Sequence, residues 1–154
     1  MIRIRPATDE DSAGIIELIG GIFAEFDGCV LDLEGIDADL LHPASDPGID
    51  RFWVMDLGGR IVGTGACSFH DGYVELKKMY IERAYRGRGY GRQLVNLVER
   101  TALKRGVRRI ELWSDTRFLG AHRMYQHLGY VRSERTRELH DPSDTTEYHF
   151  ARTL

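Results

Sequence analysis

The sequence predicts a mixed α/β domain of the α+β kind, in which strands and helices follow one another without a regular βαβ repeat. Short runs rich in β-branched and aromatic residues are bounded by glycine, proline or aspartate, which is typical of strands. Three longer segments carry apolar residues at helical spacing. The chain has 154 residues, 42% of them hydrophobic, so we expect one domain over residues 1–154 with a sizeable core.

The chain begins with a predicted strand and a predicted helix. "IRIRPA" alternates apolar and charged residues and ends at Pro6, which predicts a short strand. "TDEDSAGIIELIGGIFAEF" follows as a helix, with Thr8 or Asp9 as its cap. Residues 27–50 are acidic and punctuated by glycine and proline, which predicts a long loop with a turn or two of helix at "IDADLL".

Three strands are predicted next. "RFWVMDL" and "IVGTGACSF" flank the turn "GGR", which predicts a hairpin, and "HDG" leads into the strand "YVELKKMYI". In that third strand the apolar face changes parity, from Val74 and Leu76 to Met79 and Ile81. A β-bulge near Lys77–Lys78 explains the change, and so does a strand buried on both faces. The pattern alone leaves both explanations open.

The C-terminal half contains two predicted helices and three predicted strands. "GRQLVNLVERTALKRG" has an apolar stripe and a glycine stop, and "AHRMYQHLG" ends in the same way. "VRRIELWS" lies between them as a strand. "YVRSERTREL" and "TTEYHFARTL" are strands separated by the turn-rich "HDPSD". The predicted order is therefore β-α-(loop)-β-β-β-α-β-α-β-β.

The distribution of charge says more than its sum. A net charge of −3 argues against a nucleic-acid partner. Residues 1–56 hold 13 acidic and 3 basic side chains, whereas residues 77–109 hold 11 basic and 2 acidic ones. Two solvated faces are the usual explanation. The alternative is an anion site in the middle of the chain and a cation site near its N-terminal part.

Several classes of protein are not expected from the composition. No apolar run approaches the roughly 18 residues that span a bilayer, so no membrane partner is expected. Cys29 and Cys67 lack CxxC spacing and fit small buried residues in a reducing compartment, so a cytoplasmic location is expected. His122 and His127 are five residues apart rather than four, and no metal site is expected. A homodimer is one of the oligomeric states that remain open.

The stretch "RGRGYG", residues 86–91, lies between a predicted strand and a predicted helix. Successive backbone N–H groups without side chains can close around a phosphate, and the helix N-terminus adds a positive dipole end. Arg86, Arg88 and Arg92 add fixed charge. The stretch lacks the Lys-[Ser/Thr] ending of a P-loop and fits the GxGxxG fingerprint poorly. Its position favours a phosphate site over a flexible, soluble turn.

Two motifs resemble the hallmarks of the GNAT superfamily of N-acetyltransferases. "YIERAYRGRGYGRQL" resembles its acyl-coenzyme A signature, which is Arg or Gln, two residues, Gly, one residue, then Gly or Ala. "AHRMYQHLGY" resembles its second hallmark, an Ala-x-x-x-Tyr helix that ends in Gly and an aromatic residue. The matching residues are Arg86, Gly89 and Gly91 in the first motif and Ala121, Tyr125, Gly129 and Tyr130 in the second. The element order resembles that fold over roughly residues 2–152.

The resemblance implies a mostly antiparallel central sheet, flanked by helices and splayed at a cofactor cleft between "YVELKKMYI" and "VRRIELW". It implies acetyl-coenzyme A as the acyl donor, with pantetheine on the backbone of the first strand and pyrophosphate on the amides of residues 86–91. The implied cofactor-binding residues are Met79, Tyr80, Ile81, Arg86, Gly87, Arg88, Gly89, Tyr90, Gly91 and Arg92. One position departs from the family: Phe118 stands where many members carry an Asn that contacts the cofactor arm.

The activity implied is direct transfer of an acetyl group to a primary amine, which is a small amine, an amino acid or a protein amine. The reaction needs a neutral amine, a donor for the oxyanion and a proton for the departing thiolate. The resemblance implies Tyr125 as the acid, although its apolar stripe alone favours core packing. Glu75 is the candidate base, against an equally weighted solvent-facing role, and His70 is an alternative. An N–H at the bulge, from Met79 or a neighbour, is the candidate for polarising the acyl carbonyl.

The acceptor site is the least determined feature. Asp32, Glu34 and Asp39 lie in the acidic segment where this fold shapes its acceptor pocket, so they are the candidate residues for attracting a cationic amine. A solvated acidic loop is the alternative. A non-catalytic module that binds or senses acyl-coenzyme A is the competing functional hypothesis.

Overall fold

The computed structural model describes residues 1–154, and its element order is the predicted one. The strands are β1 (Ile2–Pro6), β2 (Arg51–Leu57), β3 (Arg60–His70), β4 (Tyr73–Ile81), β5 (Arg109–Asp115), β6 (Val131–Glu138) and β7 (Thr146–Thr153). The helices are α1 (Ser12–Phe23), α2 (Tyr90–Lys104) and α3 (Leu119–His127). None of the three helices has the length and hydropathy that spanning a lipid bilayer requires.

All seven strands form one sheet in the order β1-β2-β3-β4-β5-β7-β6. Every neighbouring pair is antiparallel except β4 and β5, which run parallel. Their pairing covers only Val74–Leu76 against Ile110–Leu112. Beyond those residues the two strands separate and leave a cleft between Lys77–Ile81 and Trp113–Asp115. The expectation of a mixed, mostly antiparallel sheet that splays at this point is confirmed.

Of the two explanations for the parity change in β4, the structure shows the bulge. Ala66 of β3 lies opposite Lys77, but Thr64, two residues back, lies opposite Tyr80, so β4 has one residue more than β3 over this interval. Lys78 takes up the extra length with a φ of +54°. The bulge explains the parity change of the apolar residues and turns the backbone of β4 where the cleft opens.

Hydrophobic clusters lie on both faces of the sheet, since neighbouring residues of β3 such as Ala66 and Cys67 belong to different clusters. On one face, α1 packs against β2 and β3, with Ile15 and Val54 fully buried. On the other face, α2 and α3 pack around β5 and β7, with Ile110 and Phe150 fully buried, and a smaller cluster forms around Met55, Val62 and Leu94. Cys29 belongs to the first cluster and Cys67 to the second, and both are buried free thiols.

The start of α1 differs from the prediction. A 3-10 turn, Asp9–Asp11, precedes the helix, which begins at Ser12. The Asp11 carboxylate accepts the Thr8 backbone N–H at 2.8 Å and also binds Arg5. Asp9 instead binds Ser45 at 2.6 Å. Thr8, one of the two predicted caps, therefore caps the 3-10 turn that leads into α1.

Candidate active site

A cavity of about 330 Å³ occupies the place where β4 and β5 separate. The lining comes from both strands, from α3, and from the two long loops that follow α1 and β6. Among the lining residues are Glu75, Tyr125 and Asp39, which the sequence singled out. Met79 and Tyr80 of β4 line it as well. The cavity therefore brings together the proposed acid, the proposed base and two of the residues implied to bind the cofactor.

The glycine-rich loop presents a continuous row of free backbone donors. The N–H groups of residues 87–92 make no hydrogen bond within the protein. Gly87 and Gly89 have φ values of +75° and +88°, and a Cβ at either position would meet open space. A Cβ at Gly91 would instead collide with Met124 of α3. Two glycines thus allow the turn that exposes the amides, and the third allows α2 to approach α3 closely.

The arginines of this loop have different partners. Arg86 donates through Nε to the Ile81 carbonyl at 2.8 Å and forms a bidentate ion pair with Glu25, at 2.9 and 2.8 Å. Arg88 and Arg92 are exposed and form no ion pair. Arg86 therefore fixes the loop to β4 and to the end of α1, whereas Arg88 and Arg92 remain available to an anion.

The cleft side of β4 is an open strand edge. Tyr80 and Ile81 pair with Thr64 and Gly63 of β3, but no residue after Leu76 pairs with β5. The amide groups that point away from β3 are consequently free for an extended ligand. This geometry suits the backbone contacts that the family resemblance implies for Met79, Tyr80 and Ile81.

An aromatic cluster covers one wall of the cavity. Phe118, at the position where many family members have Asn, lies 4.9 Å from Phe26 and 6.2 Å from Tyr80, measured between ring centroids. The Tyr80 ring lies 5.7 Å from Phe23 of α1. Phe118 therefore presents an apolar ring to the cavity at the position where many family members have an Asn that contacts the cofactor.

Tyr125 combines the two roles that the sequence left open. Its ring is 4% exposed and packs against Tyr130 and Phe150 at centroid distances of 6.1 and 5.9 Å. It also lines the cavity, and its hydroxyl has no hydrogen-bond partner in the protein. Burial raises the pKa of Tyr125 above the usual value, so the phenol keeps its proton at neutral pH. Such a group can donate a proton but cannot readily act as a base.

Glu75 lies in the cavity wall rather than on an open surface. Its side chain is 17% exposed, and its Oε1 atom lies 3.0 Å from Nε2 of His70. The two candidates for the base are therefore a hydrogen-bonded pair. The structure places Glu75 on the cavity side and His70, with a side chain 39% exposed, on the solvent side.

Two further carboxylates line the same cavity. Asp115 ends β5, and Glu147 lies opposite it on β7. Arg137 donates to Glu147 at 2.7 Å, but burial, with help from the nearby Asp115 and Glu75 charges, raises the pKa of Glu147. The alternation of β7 gave no sign that Glu147 faces a cavity.

Of the three acidic residues predicted to attract the acceptor, Asp39 lines the cavity, whereas Asp32 and Glu34 do not. Asp39 lines the cavity and forms an ion pair with Lys78 of the bulge at 3.0 Å, and neither side chain is more than 16% exposed. Asp37 also lines it, and burial raises the pKa of that carboxyl. Asp32 and Glu34 lie outside the lining, Asp32 within its own loop and Glu34 exposed.

The two long loops meet across the cavity. The Ser143 hydroxyl accepts from the Val30 N–H at 2.8 Å and donates to the Val30 carbonyl at 2.9 Å. Arg117 donates to the Ser143 carbonyl and to Asp115. Residues more than 100 positions apart in sequence thus form one rim.

Comparison with known proteins gives a consistent result. A family model described as "Acetyltransferase (GNAT) family" matches residues 21–130. The uncharacterized N-acetyltransferase YjgM of Escherichia coli is 28% identical over 142 residues, which are 82% of this chain and 80% of that protein. The N-acetylaspartate synthetase of Danio rerio is 28% identical over 116 residues, 74% of this chain but only 40% of the synthetase.

A solved structure shares the fold over the whole chain. It is an acetyltransferase of the GNAT family from Staphylococcus aureus, with a TM-score of 0.83, 22% sequence identity, and coverage of 100% of this chain and 99% of that chain. At this identity the likeness concerns the fold.

Proposed function

Because the chain belongs to the GNAT acetyltransferase family and is an acyltransferase, we propose that it transfers the acetyl group of acetyl-coenzyme A directly to a primary amine, through a tetrahedral intermediate. The observation that carries this proposal is the continuity of the site. The edge of β4 beyond Leu76 and the buried phenol of Tyr125 share one cavity, and the free amides of residues 87–92 follow the end of β4, where Gly91 approaches Ile81 and Met124 of α3.

The donor is held, in this proposal, by backbone more than by side chains. The amides of residues 87–92, with Arg88 and Arg92, receive the pyrophosphate at the N-terminus of α2. The backbone of Met79–Ile81 receives the pantetheine amides. The thioester then lies in the cavity beside Tyr125, where the N–H groups after the Lys78 bulge are placed to polarise its carbonyl.

The proton transfers are assigned to two side chains. A free alkyl amine has a pKa of about 10.4, so the acceptor arrives as an ammonium ion and must lose a proton before it attacks. Glu75 accepts that proton, because it lines the cavity and has His70 as its one ion-pair partner. Tyr125 donates its phenolic proton to the departing sulfur and is restored by the proton that the new amide nitrogen loses.

The acceptor is a cationic small amine, an amino acid or a protein amine. Asp37, Asp39 and Glu147 give the cavity an excess of negative charge that would attract an ammonium group. The relative named N-acetylaspartate synthetase indicates an amino-acid acceptor for that protein, which supports the amino-acid class here.

The first experiment separates an enzyme from a module that only binds acyl-coenzyme A. Acetyl-coenzyme A is expected to raise the melting temperature of the full chain, since a ligand present at 100 times its Kd adds about 2.7 kcal/mol. Thiol release is then followed over a broad panel of amines, amino acids and peptides. Release that depends on the amine supports the enzyme. Stabilisation without release from any amine supports the binding module.

A pair of variants tests the placement of the donor. Gly89→Glu is expected to abolish the thermal shift caused by acetyl-coenzyme A, because it brings a carboxylate to the proposed pyrophosphate site. Gly89→Gln is the matched control, since it has the same size and the same positive φ without the charge. Equal residual shifts in the two variants would contradict the assignment.

A further inference from the structure

We propose that His70 and Glu75 form a proton-transfer pair that carries the acceptor's proton from the cavity to solvent. The inference rests on the proposed function, because it concerns the proton released when an ammonium ion is acetylated. Glu75 is the group that meets the substrate, and His70 acts through Glu75. His70 is therefore a positioning and relay residue.

The turn between β3 and β4 builds this pair. His70 ends β3 and Tyr73 begins β4, and the two are register partners across the turn. Their rings stack at 4.6 Å with an interplanar angle of 5°. Glu75 lies two residues further along the same face of β4, diagonal to His70. The stack fixes the plane of the imidazole and directs Nε2 to the Glu75 carboxylate at 3.0 Å.

The pair bridges the cavity and the solvent. Glu75 lines the cavity, with a side chain 17% exposed, whereas the His70 side chain is 39% exposed and does not line it. The second ring nitrogen of His70, Nδ1, has no hydrogen-bond partner in the protein. Since imidazole exchanges one proton at each nitrogen, a proton taken at Nε2 can leave through Nδ1 to water.

Other ionisable groups surround the pair. They are Lys77 and Tyr73 on β4, Asp71 in the turn, Asp50 before β2, Glu111 with Arg109, Arg135 and His149, and Glu147 with Arg137. Glu111 and Glu147 each have a basic partner within 2.7 Å. Glu75 has His70 as its one ion-pair partner, so a proton that Glu75 accepts has that ring as its next acceptor.

The balance of protons matches this path. The ammonium loses one proton to Glu75, whose carboxyl then returns to carboxylate as His70 takes the proton and releases it to water. The amine forms the C–N bond, the C–S bond breaks, and the sulfur takes the Tyr125 proton. The amide nitrogen's second proton restores Tyr125. One proton is released per turnover, and it is the one that the pair carries.

Chemical rescue tests the relay. His70→Ala is expected to lower kcat about tenfold, less than the roughly 10²–10⁴-fold loss expected when the acid or base itself is removed. The KM for acetyl-coenzyme A should not change. Added imidazole should restore the rate of His70→Ala in proportion to its unprotonated form, because the side chain it replaces is accessible to solvent. Glu75→Gln should not respond to imidazole. His127→Ala, an exposed change at the end of α3, is the control.

The outcomes are distinct. Restoration by imidazole, with a changed kcat–pH profile in His70→Ala, supports the relay, since a structural role would not respond to the buffer base. A wild type that acetylates an amine while His70→Ala keeps its rate and pH profile overturns the relay alone. A loss in His70→Ala that imidazole does not restore, in a variant with the wild-type melting temperature, also overturns it. A wild type with no turnover on any amine overturns the proposed function and the relay with it.

Discussion

Single side chains in this protein serve packing and chemistry together. Tyr125 is a core residue by its ring contacts and a cavity residue by its position. Its apolar spacing in the sequence indicated only the first role, and the motif resemblance was needed for the second. At Phe118 the family pattern predicts a polar side chain that contacts the cofactor, but the ring found here packs against Phe26 and Tyr80.

Removing one oxygen atom tests the role of Tyr125. Tyr125→Phe is expected to lower kcat by roughly 10²–10⁴-fold, because the departing sulfur loses its proton donor. The thermal shift given by acetyl-coenzyme A should persist, since the ring and the packing remain. Tyr148→Phe is the control, because Tyr148 lies outside the cavity lining. Unchanged turnover in Tyr125→Phe would remove this residue from the mechanism.

At the scale of elements, the strands and helices were largely predictable because their signals are local. Hydrophobic spacing and turn residues located all ten strands and helices. The parity change in "YVELKKMYI" left two explanations open, and the register shows that the bulge is the correct one. Thr8 caps the start of the first helical segment, but that segment begins as the 3-10 turn Asp9–Asp11 before α1 starts at Ser12.

The same reasoning explains what the sequence did not reveal about the site. Glu147 and Arg137 are register partners within the last hairpin, but the contact of Ser143 with Val30 depends on how that hairpin packs against a loop more than 100 residues away. No periodicity encodes that contact. The assigned roles of Glu75, Tyr125 and the glycine loop remain predictions until activity is measured.

The bulge itself can be tested with a pair of substitutions at Lys78. The left-handed φ of +54° is tolerated by Asn but strained for a β-branched residue, at about 1–3 kcal/mol. Lys78→Val is therefore expected to unfold at a lower urea concentration than Lys78→Asn. Both lose the ion pair with Asp39, so the difference reports the backbone. Equal unfolding midpoints would show that the bulge does not depend on this conformation.

At the scale of the whole molecule, Arg5 joins three elements. It binds Asp11 before α1 at 2.8 Å and Asp56 on β2 at 3.0 Å from its own position on β1. The hydrogen bond from Arg5 lowers the pKa of Asp11. A lowered carboxyl pKa contributes stability above its unfolded value, near 4, and that stability is lost as the pH falls through the folded value.

Asp11→Asn measures this contribution. The free energy of unfolding at pH 7 is expected to fall by about 1–2 kcal/mol, since a charged, half-buried hydrogen bond is lost. The difference from wild type should shrink as the pH falls below 4. Glu10→Gln, an exposed neighbour with no ion pair, should show little change at either pH. A difference that does not vary with pH would mean that the charge of Asp11 is not responsible.

Because β4 pairs with β5 over only three residues, part of β4 is an unpaired strand edge, which bears on aggregation. A strand edge with free amides is a template on which other chains can add and aggregate. Here the free edge of β4 lies inside a cleft, between the halves of one sheet and behind the rim formed by Ser143 and Val30. This position limits the access of other chains to the edge, so the unpaired amides can serve a ligand in the cleft with less risk of intermolecular strand pairing.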